Sequence, residues 1–388
     1  MKVALVTAFP PSKVTLNEYG YHLAKNFVQN EEVSELLLLS DKTSEPKQLD
    51  FDKKEKVKVR DCWEFNSYTS FFSIIKAVRQ EKPDYILFNL QFVKFGDKKI
   101  PSALGLLLPM FLRLFGYKTV VLLHNIMEQV DLEKAGFTES KIMQAIYNFI
   151  GTNLTRCLLK ANRLAVTIHK YVDILNAKYK TKNVVLIPHG TFETIKEPNF
   201  EAKTGPKQIM AFGKFGTYKK VEILIDAVEI VRKTNPEALE VVIAGTDSPN
   251  TPGYLESVKQ KYKDVPGLIF TGYVEENDVE RIFTDSTIVV FPYTSTTGSS
   301  GVLHQAGSYG KAVIMPDLGD LALLVKDEGY KGEFFDSESA SSLAKAIDKI
   351  LSNDAYRMEL AKTNYEAASA LSMDKIIDIY IKCFKSIK

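Results

Sequence analysis

Short apolar runs rich in Val, Ile and Leu recur along the chain with helical-period segments between them, the alternation of a parallel sheet covered by helices. In the first half, Val3–Thr7, Leu36–Leu39, Tyr85–Asn89, Thr119–Leu123, Arg163–Thr167 and Val184–Ile187 predict strands. Tyr19–Gln29, Phe71–Glu81 and Lys141–Leu159 predict helices. A polar, turn-rich stretch, Thr191–Lys207, follows, and the pattern then restarts. Strands are expected at Gln208–Gly213, Glu240–Gly245, Leu268–Gly272, Thr287–Pro292 and Ala312–Met315. Helices are expected at Val221–Lys233, Tyr254–Lys263, Asp278–Thr284, Gly301–Ser308 and Ser339–Ser352. The restart fits two α/β units of similar size better than one closed barrel: residues 1–192, a linker over 193–207, and residues 208–372. Met373–Lys388 sets Ile376, Ile377, Ile379, Tyr380, Ile381 and Phe384 among lysines and reads as an amphipathic helix. Open parallel sheets bind ligands at the carboxyl ends of their strands, so a cleft between the two units is the expected site.

Two stretches depart from the pattern. Leu104–Phe115 is apolar almost all round but broken by Pro109 and Arg113, and it falls short of the ~20 residues a bilayer span needs. It reads either as a helix buried against a sheet or as an amphipathic element at a membrane interface, with Lys94, Lys98, Lys99 and Arg113 beside it. The run LDFDKKEKVKVR carries an Asp-x-Asp at Asp50 and Asp52, but it lies in charged chain and reads as a solvated loop.

Composition narrows the class. The 388 residues are 45% apolar and 25% charged, which excludes disorder and fibrous scaffolds. Lys+Arg 50 against Asp+Glu 48 leaves +2, too balanced for a general nucleic-acid binder but compatible with a local basic cleft. Cys62, Cys157 and Cys383 are too few and too scattered for a disulfide framework or a cysteine-based zinc site, and a cytoplasmic location fits them. The opening MKVALVTAFPPSK has too short an apolar stretch for a signal peptide. Neither G-x-G-x-x-G, a P-loop, H-E-x-x-H nor G-x-S-x-G occurs, so dehydrogenase, NTPase, zinc-protease and esterase readings lack their signatures.

Two segments carry chemistry suited to an anion. Ile209–Ala227 runs from a strand through a turn holding Gly213, Lys214, Lys219 and Lys220 into a helix; the lysines and the helix N-terminus suit phosphate oxygens. A solvated lysine cluster is the competing reading. Val290–Pro316 runs from a strand into a small-residue loop, where Thr297, Gly298, Ser299, Ser300 and Gly301 offer amide and hydroxyl donors and allow close approach. Gln305, two turns into the following helix, lies within reach of a bound sugar. A plain Ser/Gly turn with an N-cap is the alternative here.

The two-unit layout and these paired segments resemble retaining nucleotide-sugar glycosyltransferases of the GT-B fold, in particular glycosyltransferase family 4, over nearly the whole chain. VALVTAFPP matches the family's first strand and loop, His124 in VVLLHN its acceptor-side histidine, and IPHG at Ile187–Gly190 its interdomain segment. The G-R-L-x-x-x-K-G turn corresponds to Gly213, Lys214, Phe215, Lys219 and Lys220, and E-G-F-G-L-P-x-L-E to Thr297 through Gln305, with both flanking glutamates replaced. The family's G-G-x-x-E becomes Gly319, Asp320, Leu321, Ala322 and Leu323, and Ser12–Glu18 lacks its paired glycines.

The resemblance implies two Rossmann-like, doubly wound parallel-sheet domains facing a cleft, with residues 373–388 crossing back to the first. It implies transfer of a sugar from a nucleoside diphosphate sugar to a hydroxyl acceptor, with retention, without a metal and with no cofactor beyond the donor substrate. The base would sit near Gly272 and Tyr273, and the diphosphate on the loop, with Lys214 and Lys219 stabilising the departing charge. The acceptor, a glycan or a lipid-linked sugar of the cell envelope, would enter beside His124, with peripheral contact at the inner face of the membrane. Loss of both glutamates keeps a catalytically silent nucleotide-sugar-binding or partner-stabilising GT-B protein in view. A GT-B epimerase is the third reading, although no carboxylate cluster stands ready for it.

Overall fold

The computed structural model describes residues 1–388 apart from 130–139, 193–195, 202–203, 236–237 and 297. Its contacts divide the chain into Met1–His189 with Met373–Lys388, and Gly190–Ser372. The first unit runs β1 (Lys2–Val6), α1 (Asn17–Gln29), β2 (Glu35–Asp41), β3 (Val57–Trp63), α2 (Ser70–Glu81), β4 (Tyr85–Leu90), α3 (Lys99–Leu114), β5 (Lys118–Leu123), α4 (Lys141–Leu158), β6 (Arg163–Val166), α5 (His169–Tyr179) and β7 (Val184–Leu186). Its strands form one seven-stranded sheet in the order β3-β2-β1-β4-β5-β6-β7, each pairing parallel. Val3–Val6, Leu36–Leu39 and Val120–Leu123 are wholly buried because helices cover both faces, which is why these strands read as continuous apolar runs.

Three features of this unit bear on the sequence reading. The charged run ends in a strand: in β3 the alternation Val57-Lys58-Val59-Arg60 puts every second side chain to solvent at the sheet edge, and only the residues before it form a loop. The apolar run is α3, whose Gly105, Leu106, Leu108, Pro109 and Leu112 face the core, as a buried helix should. Lys94 and Arg113 both donate to backbone carbonyls, although Arg113 stays exposed. Lys94 is buried, its ammonium donating to the Thr15 carbonyl, and Arg113 binds the carbonyls of Lys160 and Ala161. Among the described residues no helix is long and apolar enough to cross a membrane.

The second unit runs β8 (Lys207–Phe215), α6 (Glu222–Val231), β9 (Leu239–Asp247), α7 (Tyr254–Lys261), β10 (Leu268–Gly272), α8 (Glu276–Asp285), β11 (Ile288–Val290), α9 (Gly301–Ser308), β12 (Ala312–Pro316), α10 (Gly319–Glu328), β13 (Glu333–Phe335), α11 (Ala340–Leu351) and α12 (Asp354–Ala370). Its six strands lie in the order β10-β9-β8-β11-β12-β13. Leu224, Ile225 and Val228 of α6 and Leu343 and Ile347 of α11 pack with Ile209, Ala211, Val241 and Ile243 in one core. The polar stretch after Gly190 is no free linker where it is described. Thr191 bonds the Leu371 and Ala368 carbonyls, and Phe200 is buried with its carbonyl held by Arg357.

The last helix, α13 (Met373–Lys385), belongs to the first unit. Phe384 stacks on Phe27 of α1 and on Tyr85 of β4, at ring separations of 6.1 and 5.1 Å. In each sheet the strand order reverses direction at one point, between β1 and β4 and between β8 and β11. Those crevices are where doubly wound sheets take their ligands.

Candidate functional site

In the second unit, three glycines with positive φ line the carboxyl ends of adjacent strands: Gly213 (132°), Gly245 (140°) and Gly272 (69°). A Cβ on Gly245 would lie 1.8 Å from the Gly213 carbonyl oxygen, so β8 and β9 close together only because Gly245 carries no side chain there. At Gly213 the space a side chain would claim is taken by the ammonium of Lys219, 2.7 Å from where a Cβ would be.

Lys219 is the cation of the crevice. The turn after β8 folds back, and Lys219 bridges to Tyr293, which follows β11. Its Nζ lies 4.7 Å from the Tyr293 ring centroid and 5.9 Å from that of Tyr218. Among the described residues it meets no carboxylate, and burial lowers its pKa from the ordinary lysine value. An ammonium held between aromatic rings, without a counter-ion, is prepared for an anion. The other two lysines of the turn differ. Lys214 is exposed, and Lys220 spends its ammonium on the Gly216 carbonyl at 2.8 Å.

Across the crevice, burial raises the pKa of Tyr293, so it stays a neutral phenol. Ser300 caps α9, its hydroxyl accepting from the Leu303 amide. Beside Gly301, the first residue of the helix, a Cβ would meet nothing within 4 Å, so the space over the N-terminus is open. Lys219, the Tyr293 ring and the α9 N-terminus thus form one continuous surface on which a diphosphate is favoured by an ammonium and by helix amides together. Gln305 is half-buried on α9, with no partner for its amide among the described residues.

Two predicted residues act otherwise than expected. The Gly298 N–H donates to the buried Asp320 carboxylate at 3.1 Å, so Gly298, at φ 81°, shapes the loop rather than offering its amide. Ser299 turns its hydroxyl to His304 Nε2 at 3.2 Å. Thr297 lies outside the described residues. Gly272 and the exposed Tyr273 stand at the end of β10, where a cleft is also lined by Thr271, Asp278 and Arg281.

In the first unit, His124 follows β5 and sits over the β1/β4 crevice. Asn89, buried at the end of β4, donates to Thr7 Oγ1 at 3.0 Å and to the Leu16 carbonyl at 3.3 Å. Its amide oxygen must then accept from His124 Nε2, 2.7 Å away. The proton is on Nε2, and Nδ1 keeps a lone pair with no partner among the described residues. Burial, His189 and Lys94 push the imidazole pKa well below its usual value, so His124 is neutral. Tyr19 packs edge-on against both His124 and His189, with ring centroids 4.6 Å away in each case. His124 can therefore accept a hydrogen bond from a hydroxyl but brings no charge.

Tyr293, Asp320 and Asn89 were not among the expected site residues. Asn89 had a legible signal, a polar residue closing an apolar strand. The roles of Tyr293 and Asp320 depend on contacts 74 and 22 residues apart in sequence, with Lys219 and Gly298.

Residues 206–353 match the model of the family described as glycosyl transferases group 1. The GDP-mannose:glycolipid 4-beta-D-mannosyltransferase of Xanthomonas campestris pv. campestris is 26% identical over 275 residues, 69% of this chain and 69% of that protein. Among solved structures, a sucrose-phosphate synthase from Thermosynechococcus elongatus aligns over 100% of both chains with a TM-score of 0.73 at 18% identity. Anabaena HepE in complex with UDP aligns over 99% of both chains with a TM-score of 0.66 at 14% identity. WaaG, a glycosyltransferase involved in lipopolysaccharide biosynthesis, aligns over 99% of this chain and 100% of its own with a TM-score of 0.65 at 14% identity.

Proposed function

Given that this chain is a glycosyltransferase of the group 1 type with the GT-B fold, we propose that it transfers a sugar from a nucleoside diphosphate sugar to a hydroxyl of a glycolipid or envelope glycan. The donor binds the second unit, with its base toward Gly272 and Tyr273, its diphosphate against Lys219 and the α9 N-terminus, and its sugar toward Gln305. The observation that carries this reading is the half-buried Lys219 ammonium, set against Gly213 and Tyr293 without a carboxylate among the described residues. As the glycosidic bond breaks, charge grows on the departing diphosphate. A fixed ammonium and helix amides stabilise that charge without reorganising, the term that usually dominates such catalysis. Lys214, exposed on the same turn, adds a second and more distant cation. In this scheme the lysines carry the charge that a divalent metal would otherwise neutralise, and the nucleotide sugar is the only bound cosubstrate.

The acceptor binds the first unit, where the Nδ1 lone pair of the neutral His124 receives a hydroxyl hydrogen and orients the oxygen. A lipid-linked acceptor is supported by the Xanthomonas relative's named glycolipid substrate. It is supported also by a stripe on α4, where Ile142, Ile146, Phe149 and Ile150 recur at helical spacing and are exposed, Ile142 by 75% and Phe149 by 69%. With Lys141 beside it in sequence and the Lys99 ammonium 5.4 Å from the ring of Tyr147 on the same helix, the stripe suits the cytoplasmic face of a membrane carrying anionic lipid. Family resemblance predicts retention of configuration, and NMR of the anomeric proton in the product distinguishes it from inversion.

Calorimetric titration with UDP, GDP and ADP sugars in EDTA tests the reading, followed by mass spectrometry of the donor after addition of membrane lipid extract. Metal-independent binding of one nucleotide and donor consumption on adding acceptor are expected. Binding with no turnover on any acceptor would instead favour a silent nucleotide-sugar-binding protein.

A further inference from the structure

The loop between β1 and α1 is held from two sides. From the end of β2, Asp41 accepts from the Phe9 amide at 3.2 Å and from the Ser12 hydroxyl, whose oxygen in turn accepts from the Val14 amide at 3.1 Å. From β4 and the segment after it come three side-chain donors: Asn89 to the Leu16 carbonyl at 3.3 Å, Lys94 to the Thr15 carbonyl, and Gln91 to the Thr15 hydroxyl. The Asn89 amide serves two partners at once. Its nitrogen holds Leu16 while its oxygen accepts from His124 Nε2 at 2.7 Å, so one planar group joins the loop to the histidine of the β1/β4 crevice.

Two features of this clamp work against stability. Leu16, the N-cap of α1, stands in the left-handed region at φ 64° and ψ 18°, where a Cβ crowds the following carbonyl, and no side chain caps the helix there. The helix leaves it little freedom. The Leu16 carbonyl accepts from the Gly20 amide at 3.0 Å, and a Cβ on Gly20 would lie 2.5 Å from both the Ala8 oxygen and Thr7 Oγ1, so the first turn of α1 sits directly on the end of β1. The second feature is Lys94, 1% exposed, with its ammonium 5.9 Å from the Trp63 ring centroid. Burial lowers its pKa to about 7, and an apolar side chain of the same length would fill that space without the desolvation penalty. A strained residue and a desolvated cation thus meet on the adjacent carbonyls of Thr15 and Leu16. Local costs of this kind persist where the conformation they impose serves the site.

We propose that Lys94 is a positioning residue for sugar transfer: with Asn89 it holds the Thr15–Leu16 turn left-handed, so that the β1–α1 loop and His124 meet the acceptor as one preformed surface. This rests on the acceptor site proposed above. Lys94 is buried and acts through the loop backbone, whereas Thr15 is exposed. Once the ammonium is removed, Leu16 relaxes toward the ordinary backbone regions and Thr15 moves with it. His124 keeps its tautomer through Asn89 but loses the fixed loop beside it, and an acceptor must then order that loop as it binds.

The experiment measures transfer of radiolabelled sugar from UDP-glucose, GDP-mannose and ADP-glucose to a membrane lipid extract at limiting extract. Wild type, Lys94→Met and the double variant Lys94→Met/Leu16→Gly are compared, each shown to be folded by its thermal transition. Lys94→Met should lower the rate about tenfold, in line with the preference of a leucine against the left-handed region, while nucleotide affinity by calorimetry stays within about twofold, because the donor site lies in the second unit. Glycine enters the left-handed region as readily as the right-handed one. Adding Leu16→Gly should therefore recover at least half of the lost rate, although it supplies no contact and should not raise the melting temperature. A lysine that serves stability alone predicts a double variant no faster than Lys94→Met. That result, or a Lys94→Met that transfers at the wild-type rate, overturns the positioning role and leaves the acceptor site standing. Should Lys94→Met fail to fold, Gln91→Leu with and without Leu16→Gly makes the same comparison at the half-buried end of the clamp, with a loss of about threefold and its rescue expected. No transfer by wild type from any of the three donors overturns the acceptor reading, and the positioning role with it.

Discussion

Lys219→Met separates a ligand-binding lysine from a structural one, because the two predict opposite signs in two assays. Met keeps the length and apolar stem of the side chain and removes the ammonium. A hydrogen bond from an ionised donor contributes ~1.5–3 kcal/mol, and a unit charge ~4 Å from an ammonium at an effective dielectric near 20 adds an attraction of up to ~4 kcal/mol, most of it offset by desolvation. A net loss of ~2–3 kcal/mol is therefore expected, and UDP or GDP affinity should fall about 30- to 150-fold by calorimetry. Stability should move the other way. Burial lowers the folded pKa of Lys219 below its unfolded value. The folded state therefore bears a desolvation cost that is fully present below the folded pKa and is relieved only as pH rises from it toward 10.5. Met removes that cost, so the ligand-free variant should melt at the wild-type temperature or a few degrees above it at pH 7. Unchanged nucleotide affinity would refute the phosphate role. A large drop in melting temperature would show that Lys219 holds the turn instead.

His124→Ala should lower sugar transfer by about a hundredfold in kcat/KM while leaving nucleotide affinity within about twofold, since His124 belongs to the first unit. Because its pKa lies well below the usual histidine value, the rate should show no histidine limb between pH 6 and 8. Gly245→Ala should destabilise the second unit by more than ~3 kcal/mol in urea unfolding, since its Cβ would lie 1.8 Å from the Gly213 oxygen at a φ of 140°. Lys94 is held near a pKa of about 7 by burial, against an opposing pull from Asp41. Above that pH the folded state has shed a proton that the unfolded state keeps until about 10.5. Stability should therefore rise with pH across this window, by up to ~1.4 kcal/mol per unit, and Lys94→Met should flatten the slope.

Much of the architecture was legible in the chain because it depends on burial that repeats locally. Strands covered on both faces must be apolar throughout, so β1, β2, β4, β5, β8, β9 and β12 announced themselves. The edge strand β3 did not. Half solvated, it alternates lysine and arginine with valine, and in a charged neighbourhood that pattern looks like loop. Helices α5, α10 and α12 also escaped: in α5 and α12 long polar faces hide a narrow buried stripe, and the unbroken apolar run Leu321–Val325 of α10 shows no helical period. Of the site, what could be read was residue chemistry: a lysine turn, a Ser/Gly loop opening a helix, a histidine after a strand.

Which member of each set does the work is a matter of distance across the fold. Lys214, Lys219 and Lys220 look alike in sequence, yet only the ammonium of Lys219 lies against Gly213 and Tyr293, while Lys220 bonds a carbonyl and Lys214 faces solvent. Gly298 looked like a ligand amide until Asp320, brought beside it by the next βα turn, took its N–H. The sequence alone determined that this chain builds two parallel α/β sheets and where along it the anion-binding chemistry lies, because periodicity and residue type are local properties. Only the tertiary structure decided which donors stay free for a ligand, because a hydrogen-bonding group is free or spent according to the neighbours that folding supplies.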